Sequence, residues 1–272
     1  MKRINFLILL VISNFLYSQN KQFIYEYKYI PDSTNVKNIL TEMMILNVEK
    51  EKSEYYGFEK FESDSTLLAD SKKGIFSMPP NKMLINHRVI KFPNSTDLKY
   101  ITIVGFSKYN VSQKVHFDWK LHPEFSKILN LTVQKASTNF GGRKWIAWFA
   151  KEIPIQDGPY KFKGLPGLIV KLEDEEKNHS FELKGIKSKR EEFVYPEVRN
   201  YSQELTLNFP QYLKAYKNYR KSPASELIGQ YPDQTDSEGN FKTGEQIRRE
   251  VEEALLERIN KDNNIIEIQQ LR

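Results

Sequence analysis

The 272-residue sequence contains no cysteine. That excludes disulfides, thiolate metal sites, a cysteine nucleophile and the lipidated cysteine of a bacterial lipoprotein. Phosphate loops of the G-x-x-x-x-G-K-[ST] or G-x-G-x-x-G type are also missing, as is a G-x-S-x-G elbow. No nucleotide cofactor and no α/β-hydrolase triad are therefore expected. Histidine is scarce, with only His87, His116, His122 and His179. None falls in an HxH or HExxH spacing. His116 and Asp118 share one face of an expected strand and come nearest to a metal-ligand pair, since imidazole and carboxylate are ordinary zinc ligands. His122 stands in a loop before Pro123, so the spacing carries no metal site and no cofactor is expected. Asp174, Glu175 and Glu176 lie together in a polar loop and read as solvated. A glycosidase needs two carboxylates facing each other across a cleft, which no local spacing encodes.

Long apolar runs are lacking except at the start. Lys2 and Arg3 precede a segment from Ile4 to Leu16 broken only by Asn5, Ser13 and Asn14, and Ser18 offers a small residue before Gln19. A basic head, a short apolar run and a small exit residue describe a secretory signal peptide over 1–18. The run is shorter than the roughly 20 residues that span a bilayer. The expectation is an exported chain without a transmembrane helix, in the periplasm, at the outer-membrane periphery or secreted. Without Lys2 and Arg3, 39 basic residues face 35 acidic ones, a net charge of about +4. The two signs are interleaved, as in KREEF (189–193) and IRREVEE (247–253), which marks a solvated surface rather than a nucleic-acid groove.

What is abundant is aromatic: 17 Phe, 15 Tyr and 3 Trp. FIYEYKYI (23–30) alternates strictly, with Phe23, Tyr25, Tyr27 and Tyr29 on one face. Further expected strands are MMILNV (43–48), MLINHRVIKF (83–92), KYITIVGF (99–106), KVHFDWKL (114–121), LTVQKASTNF (131–140), RKWIAWFA (143–150), GLIVKLED (167–174) and HSFELKGI (179–186). Gly141-Gly142 separates two of them by the two residues of a tight hairpin, and Asp174–Asn178 joins another pair. No ten-residue helical pattern separates these strands, so the pairing is antiparallel rather than α/β.

Past about residue 190 the period changes. FPQYLKAYKNYRKS (209–222) has helical spacing, and a polar loop over 222–242 leads to a capping box at Thr243 and Gln246. Behind it Ile247, Val251, Ala254, Leu255 and Ile259 form one apolar stripe suited to covering a sheet. The expected architecture is α+β, mainly antiparallel β. One large curved meandering sheet forms a single domain over 19–272, with helices packed on or beside it in the C-terminal part (205–265).

The segment GPYKFKGLPGLIV (158–170) is the densest local signal. Leu165-Pro166-Gly167-Leu168 has the form of a type II turn, because proline sets φ at the second position and glycine accepts positive φ at the third. Asp157-Gly158-Pro159-Tyr160 predicts a second bend. Two readings stand side by side: a corner that sets register, or a rigid loop displaying Tyr160, Lys161 and Phe162 to a ligand or partner. Trp145, Trp148 and Phe149 could join the tyrosine stripe of 23–29 on a concave surface suited to sugars, peptides or lipid chains, or simply form the core.

Residues 127–186 resemble the GLPGLI family of exported Bacteroidetes proteins. The resemblance is carried by Gly164, Leu165, Pro166, Gly167, Leu168 and Ile169, and upstream by the AWF-x3-IP-x2-DGPYKF pattern from Ala147 through Gly158 and Pro159 to Phe162. Val133 stands where relatives often carry cysteine, so no redox role transfers. The resemblance implies a cell-envelope protein, with relatives often encoded near TonB-dependent outer-membrane receptors, and implies no reaction or cofactor. The expected function is non-catalytic binding of a ligand or envelope partner, with Tyr160, Phe162, Trp145 and Trp148 as candidate contacts. A secreted hydrolase of an exported polymer or peptide and a structural accessory subunit remain as alternatives. A cavity would favour binding, converging acidic groups or a His–Asp pair catalysis, and an exposed apolar patch around 158–170 a protein partner.

Overall fold

Twelve strands form one open sheet in the order β12-β6-β5-β4-β3-β2-β1-β11-β10-β9-β8-β7. The structure, a computed structural model, describes residues 20–78, 85–189, 191–198, 204–235 and 237–271. The signal peptide expected at 1–18 lies outside them, as do the first two residues of the strand expected over 83–92.

The strands are β1 (Asn20–Tyr29), β2 (Leu40–Val48), β3 (Ser53–Gly57), β4 (Arg88–Lys91), β5 (Asp97–Val104), β6 (Ser107–Lys114), β7 (Lys120–Ile128), β8 (Leu131–Phe140), β9 (Arg143–Ala150), β10 (Leu168–Asp174), β11 (His179–Lys189) and β12 (Glu204–Asn208). Pairing is antiparallel except where β12 runs parallel to β6. Two meanders, β1–β6 and β7–β11, meet where β1 pairs with β11, with a register shift at Ile24/Tyr25. Gly141 and Gly142 have φ of +65° and +85°, the backbone that a two-residue hairpin between β8 and β9 requires.

Among the described residues three α-helices accompany the sheet. α1 (Phe58–Lys72) follows β3 directly, α2 (Phe209–Lys221) follows β12, and α3 (Gly244–Lys261) starts at the Thr243/Gln246 capping box. α2 carries a second capping box, Asn208 with Gln211. Tyr212 of α2 packs with Val104, Tyr109 and Val111 of β5 and β6, while α3 contacts α2. α1 lies on the other face, where Phe61 meets Tyr56 and Phe193.

One sheet face holds the main core, with Phe23, Tyr25, Met44, Leu46, Trp145, Phe149 and Phe181 each almost wholly buried. Helices do not seal this face alone. Two irregular segments lie on it: the plug, residues 151–167 between β9 and β10, and the strap, residues 263–271 after α3. The strap is anchored by Arg143, which donates to the Ile265 carbonyl (2.9 Å) and to Asn264 and forms a buried ion pair with Asp174 (3.0 Å). Burial holds the Asp174 carboxyl above its ordinary range, with the His179 N–H and Arg143 opposing.

KVHFDWKL does not form the strand its alternation predicts. Residues 115–119 are a connector between β6 and β7. Its alternation serves core contact without a ladder, since Val115 is buried and Phe117 and Trp119 pack against Phe162.

Candidate functional site

The plug is built on close approaches rather than on a type II turn. The Gly167 N–H donates to the Leu165 carbonyl (2.7 Å), and the Leu168 N–H donates to Ile153 (3.1 Å) instead of closing back on Leu165. Pro166 therefore centres a three-residue turn. Gly167 has φ +154°, and a Cβ there would stand 2.2 Å from the Ala150 carbonyl oxygen. The earlier bend is displaced by two residues: the Phe162 N–H donates to Pro159 (3.1 Å), with Tyr160 at φ +53°. Gly158 is needed for contact, since a Cβ there would meet the Ile169 side chain at 2.7 Å. Gly164 adopts φ +94° and donates to the Gln156 carbonyl (3.1 Å). Leu165, Leu168 and Ile169 are buried.

The side chains expected on display point inward instead. Tyr160 is 3% exposed and Lys161, Phe162 and Trp145 are 0% exposed. Phe162 fits among Trp145, Phe140, Phe117 and Trp119, burial that contributes about 1.5–3 kcal/mol. Trp148, on the opposite face of β9, is half-buried. His116 and Asp118 are exposed and 3.1 Å apart, and among the described residues no third His, Cys, Asp or Glu joins them.

Two buried lysines weld the plug down. Lys91 of β4 pairs with Asp157 and donates to the Gly158 carbonyl (2.6 Å). Lys161 pairs with Glu267 of the strap and donates to Gln113 Oε1 (2.7 Å), and Tyr160 Oη donates to the same Glu267 oxygen (2.7 Å). Burial lowers both lysine pKa values, with Asp157 and Glu267 respectively opposing the shift. The Lys161 ammonium also sits 4.4 Å from the Tyr100 ring centroid, 5.2 Å from that of Tyr160 and 5.5 Å from that of Phe209, a cation–π cage.

Beside this cage lies a cavity of about 490 Å³ between the sheet, α2, α3, Tyr160 and the strap. Seven tyrosines line it: Tyr27 and Tyr29 of β1, Tyr100 of β5, Tyr160 of the plug, and Tyr212, Tyr216 and Tyr219 of α2. Period two in β1 and the helical period in α2 place these rings on one side of each element. Tyr27 stacks on Tyr29 at 4.8 Å, and Tyr100 meets Tyr212 edge-on at 5.8 Å. His87 and His179 complete the wall, His179 sharing a 2.8 Å hydrogen bond with the Tyr27 hydroxyl. Burial, reinforced by Lys161, pushes His87 down to about 3, and burial with Arg143 does the same to His179. Both imidazoles are neutral at pH 7. The tyrosines of β1 and α2 are visible as sequence patterns, whereas the burial of Tyr160 is not. Their meeting with His87, His179 and Glu267 depends on long-range pairing that no local pattern encodes.

A family model described as a protein of unknown function (Porph_ging) matches residues 139–171. The match runs from the last two residues of β8 through the Gly141-Gly142 turn, β9 and the plug into β10. No curated protein matches the chain. Among solved structures the chain is similar to PNGF-II in a P21 crystal form, at TM-score 0.52 and 13% identity, over 74% of this chain and 34% of that one. The C2 form of PNGF-II gives TM-score 0.51 and 14% identity, over 74% and 33%. The chain thus spans about a third of the length of the structures it resembles, and the likeness is one of fold.

Proposed function

We propose that the chain is an exported, non-catalytic binding protein of the cell envelope, and that its ligand occupies the tyrosine-lined cavity. The observation that carries this reading is the convergence of seven aromatic rings with polar tips on one space of about 490 Å³, in the size range of small-molecule sites. The ionisable groups around it favour binding over proton transfer. Lys161–Glu267 and Arg143–Asp174 are buried pairs that hold the plug and strap. Both histidines titrate near 3, far from the range useful to a general acid or base at neutral pH. Export and envelope location draw their support from the basic and apolar residues of 1–18.

Protein recovered from the host envelope without denaturation should carry a small-molecule adduct in native mass spectrometry. The adduct should be lost from a Tyr29→Ala, Tyr216→Ala double variant that remains folded by circular dichroism. Bare protein from the native envelope would refute the cavity reading.

A second reading, docking of an envelope protein such as a TonB-dependent receptor, is supported by a different feature. β7 is an outer edge of the sheet with Leu121 47% and Phe125 63% exposed, a surface able to accept a partner's strand. Cross-linking in intact cells tests it: repeated capture of one receptor through residues of β7 supports docking, and recovery of the protein alone opposes it.

A further inference from the structure

We infer that the cavity takes a neutral polyhydroxylated ligand, a mono- or disaccharide. This rests on the reading of the cavity as a binding site and deepens it by naming the chemistry.

A cationic ligand finds its place already filled. Where aromatic faces and a carboxylate converge, the chain's own Lys161 ammonium lies against Tyr100 and Tyr160 and pairs with Glu267, so a second cation would meet like charge. An anionic ligand is disfavoured because Asp262 and Glu267 both stand on the wall. Neither nearby cation is free to receive an anion: Lys161 is paired with Glu267, and Arg220 lies 3.7 Å from the Asp262 carboxylate and is held by the carbonyls of Ile259 (2.8 Å) and Asp262 (3.0 Å) and by the Tyr216 hydroxyl (3.3 Å). Arg258 remains exposed at the rim.

An apolar chain would suit the rings but not the polar atoms between them. Glu267 Oε2 and His87 Nε2 are buried without a hydrogen-bond partner, and a hydrocarbon would leave them so at full desolvation cost. Hydroxyl groups answer both. A hydroxyl donates to a carboxylate oxygen, and it can donate to or accept from a neutral imidazole, whichever tautomer is present. A sugar also offers a flat C–H face to pack on tyrosine rings while its hydroxyls reach the phenol tips, the combination of apolar body and polar rim that tyrosine matches. Tyr29 is placed for such a contact: it is half-buried, lines the cavity, and has its ring held by the stack on Tyr27.

The test is isothermal titration of the full chain with cellobiose, chitobiose and lactose, and in parallel with laurate and with trialanine. Tyrosine ring resonances are followed by NMR to place any binding. The expected result is saturable binding of at least one disaccharide with shifts at Tyr29, Tyr100 and Tyr216. Tyr29→Ala should weaken it about tenfold, the equivalent of about 1.4 kcal/mol. Tyr29→Phe keeps the ring and should lose less. Trp145, whose burial keeps it from solvent, reports folding by near-UV dichroism, so a variant that fails to fold is recognised and Tyr216→Ala replaces it. Binding of laurate or trialanine at these tyrosines, with no disaccharide bound, would overturn the saccharide class while leaving the cavity a binding site. If none of the five probes binds, the saccharide inference falls. The native adduct measurement then decides separately whether the cavity is a site at all.

Discussion

Replacing Gly167 by alanine should be among the most damaging single substitutions in the chain. The added Cβ would lie 2.2 Å from the Ala150 carbonyl oxygen, 2.7 Å from its carbon and 3.0 Å from Lys151 Cα. All three are backbone atoms at the end of β9, so no side chain can rotate away. Relief requires the plug to lift off β9, which strains or breaks the Gly167–Leu165 and Leu168–Ile153 hydrogen bonds. Each contributes about 1 kcal/mol net, and a non-glycine residue in a glycine-only backbone region costs about 1–3 kcal/mol. The total is about 3–5 kcal/mol, a large share of the roughly 5–15 kcal/mol that holds a domain folded. Gly164→Ala is the internal control. It too has positive φ, at +94°, but its nearest foreign atom is Trp119 Nε1 at 4.0 Å, so it should cost only the conformational part, about 1–2 kcal/mol. Urea unfolding followed by tryptophan fluorescence measures both. Equal losses for the two variants would refute the close-approach argument and leave φ alone as the reason for Gly167.

Stability should peak near pH 6.5. His87 and His179 fall from 6.5 to about 3 on folding, so the unfolded chain binds more protons between those values and stability is lost as pH drops through that window. Burial and nearby Glu59 raise Glu42 from 4.5 to about 8, the Ile85 backbone opposing, so here the folded state holds the extra proton and stability is lost as pH climbs from 4.5 to 8. Among these three groups, two histidines outweigh one carboxyl by one proton from 4.5 to 6.5, and of the three Glu42 alone titrates above 6.5. The slope is then about 1.4 kcal/mol per pH unit in each direction, and Glu42→Gln should flatten the upper limb. Urea midpoints that stay constant from pH 5 to 8 would contradict both shifts. Lys161→Ala should cost about 3–5 kcal/mol by leaving Glu267 buried and uncompensated, whereas Lys161→Met combined with Glu267→Gln should recover most of that loss. A double variant no more stable than the single one would show that the charge was not the issue.

Much of the sheet was legible because its strands are amphipathic or continuously apolar and its turns are marked. β8 and β9 begin and end where LTVQKASTNF and RKWIAWFA do, and Gly141-Gly142 announces the hairpin between them. α1 was not legible. It has no side-chain N-cap, and its buried residues are Ser63 and Asp64, so no apolar stripe marks it. β12 is short, and its apolar face consists of only the half-buried Leu205 and Leu207, too brief an alternation to read as a strand. The site was legible in fragments. The tyrosine periods of β1 and α2 were plain, but Lys91, Lys161 and Glu267 are charged residues in the interior, and composition assigns such residues to the surface. Only the tertiary pairing explains them. The plug motif is a corner whose Tyr160 turns inward to the cavity wall.

The placement of β1 at the centre of the sheet has a kinetic consequence. Within each meander, neighbouring strands are close in sequence and can pair hairpin by hairpin. The ladder that joins the halves pairs Asn20 with Lys189 and Tyr29 with His179, so one long loop closure must precede a continuous sheet. Such non-local pairing sets the pace of folding more than total stability does. It also sets the hazard, since a slip of one residue at this seam would turn Tyr25 and Tyr27 to the opposite face. The bulge at Ile24/Tyr25 pins that register, so its loss should slow the assembly of the two halves well before it unravels either one.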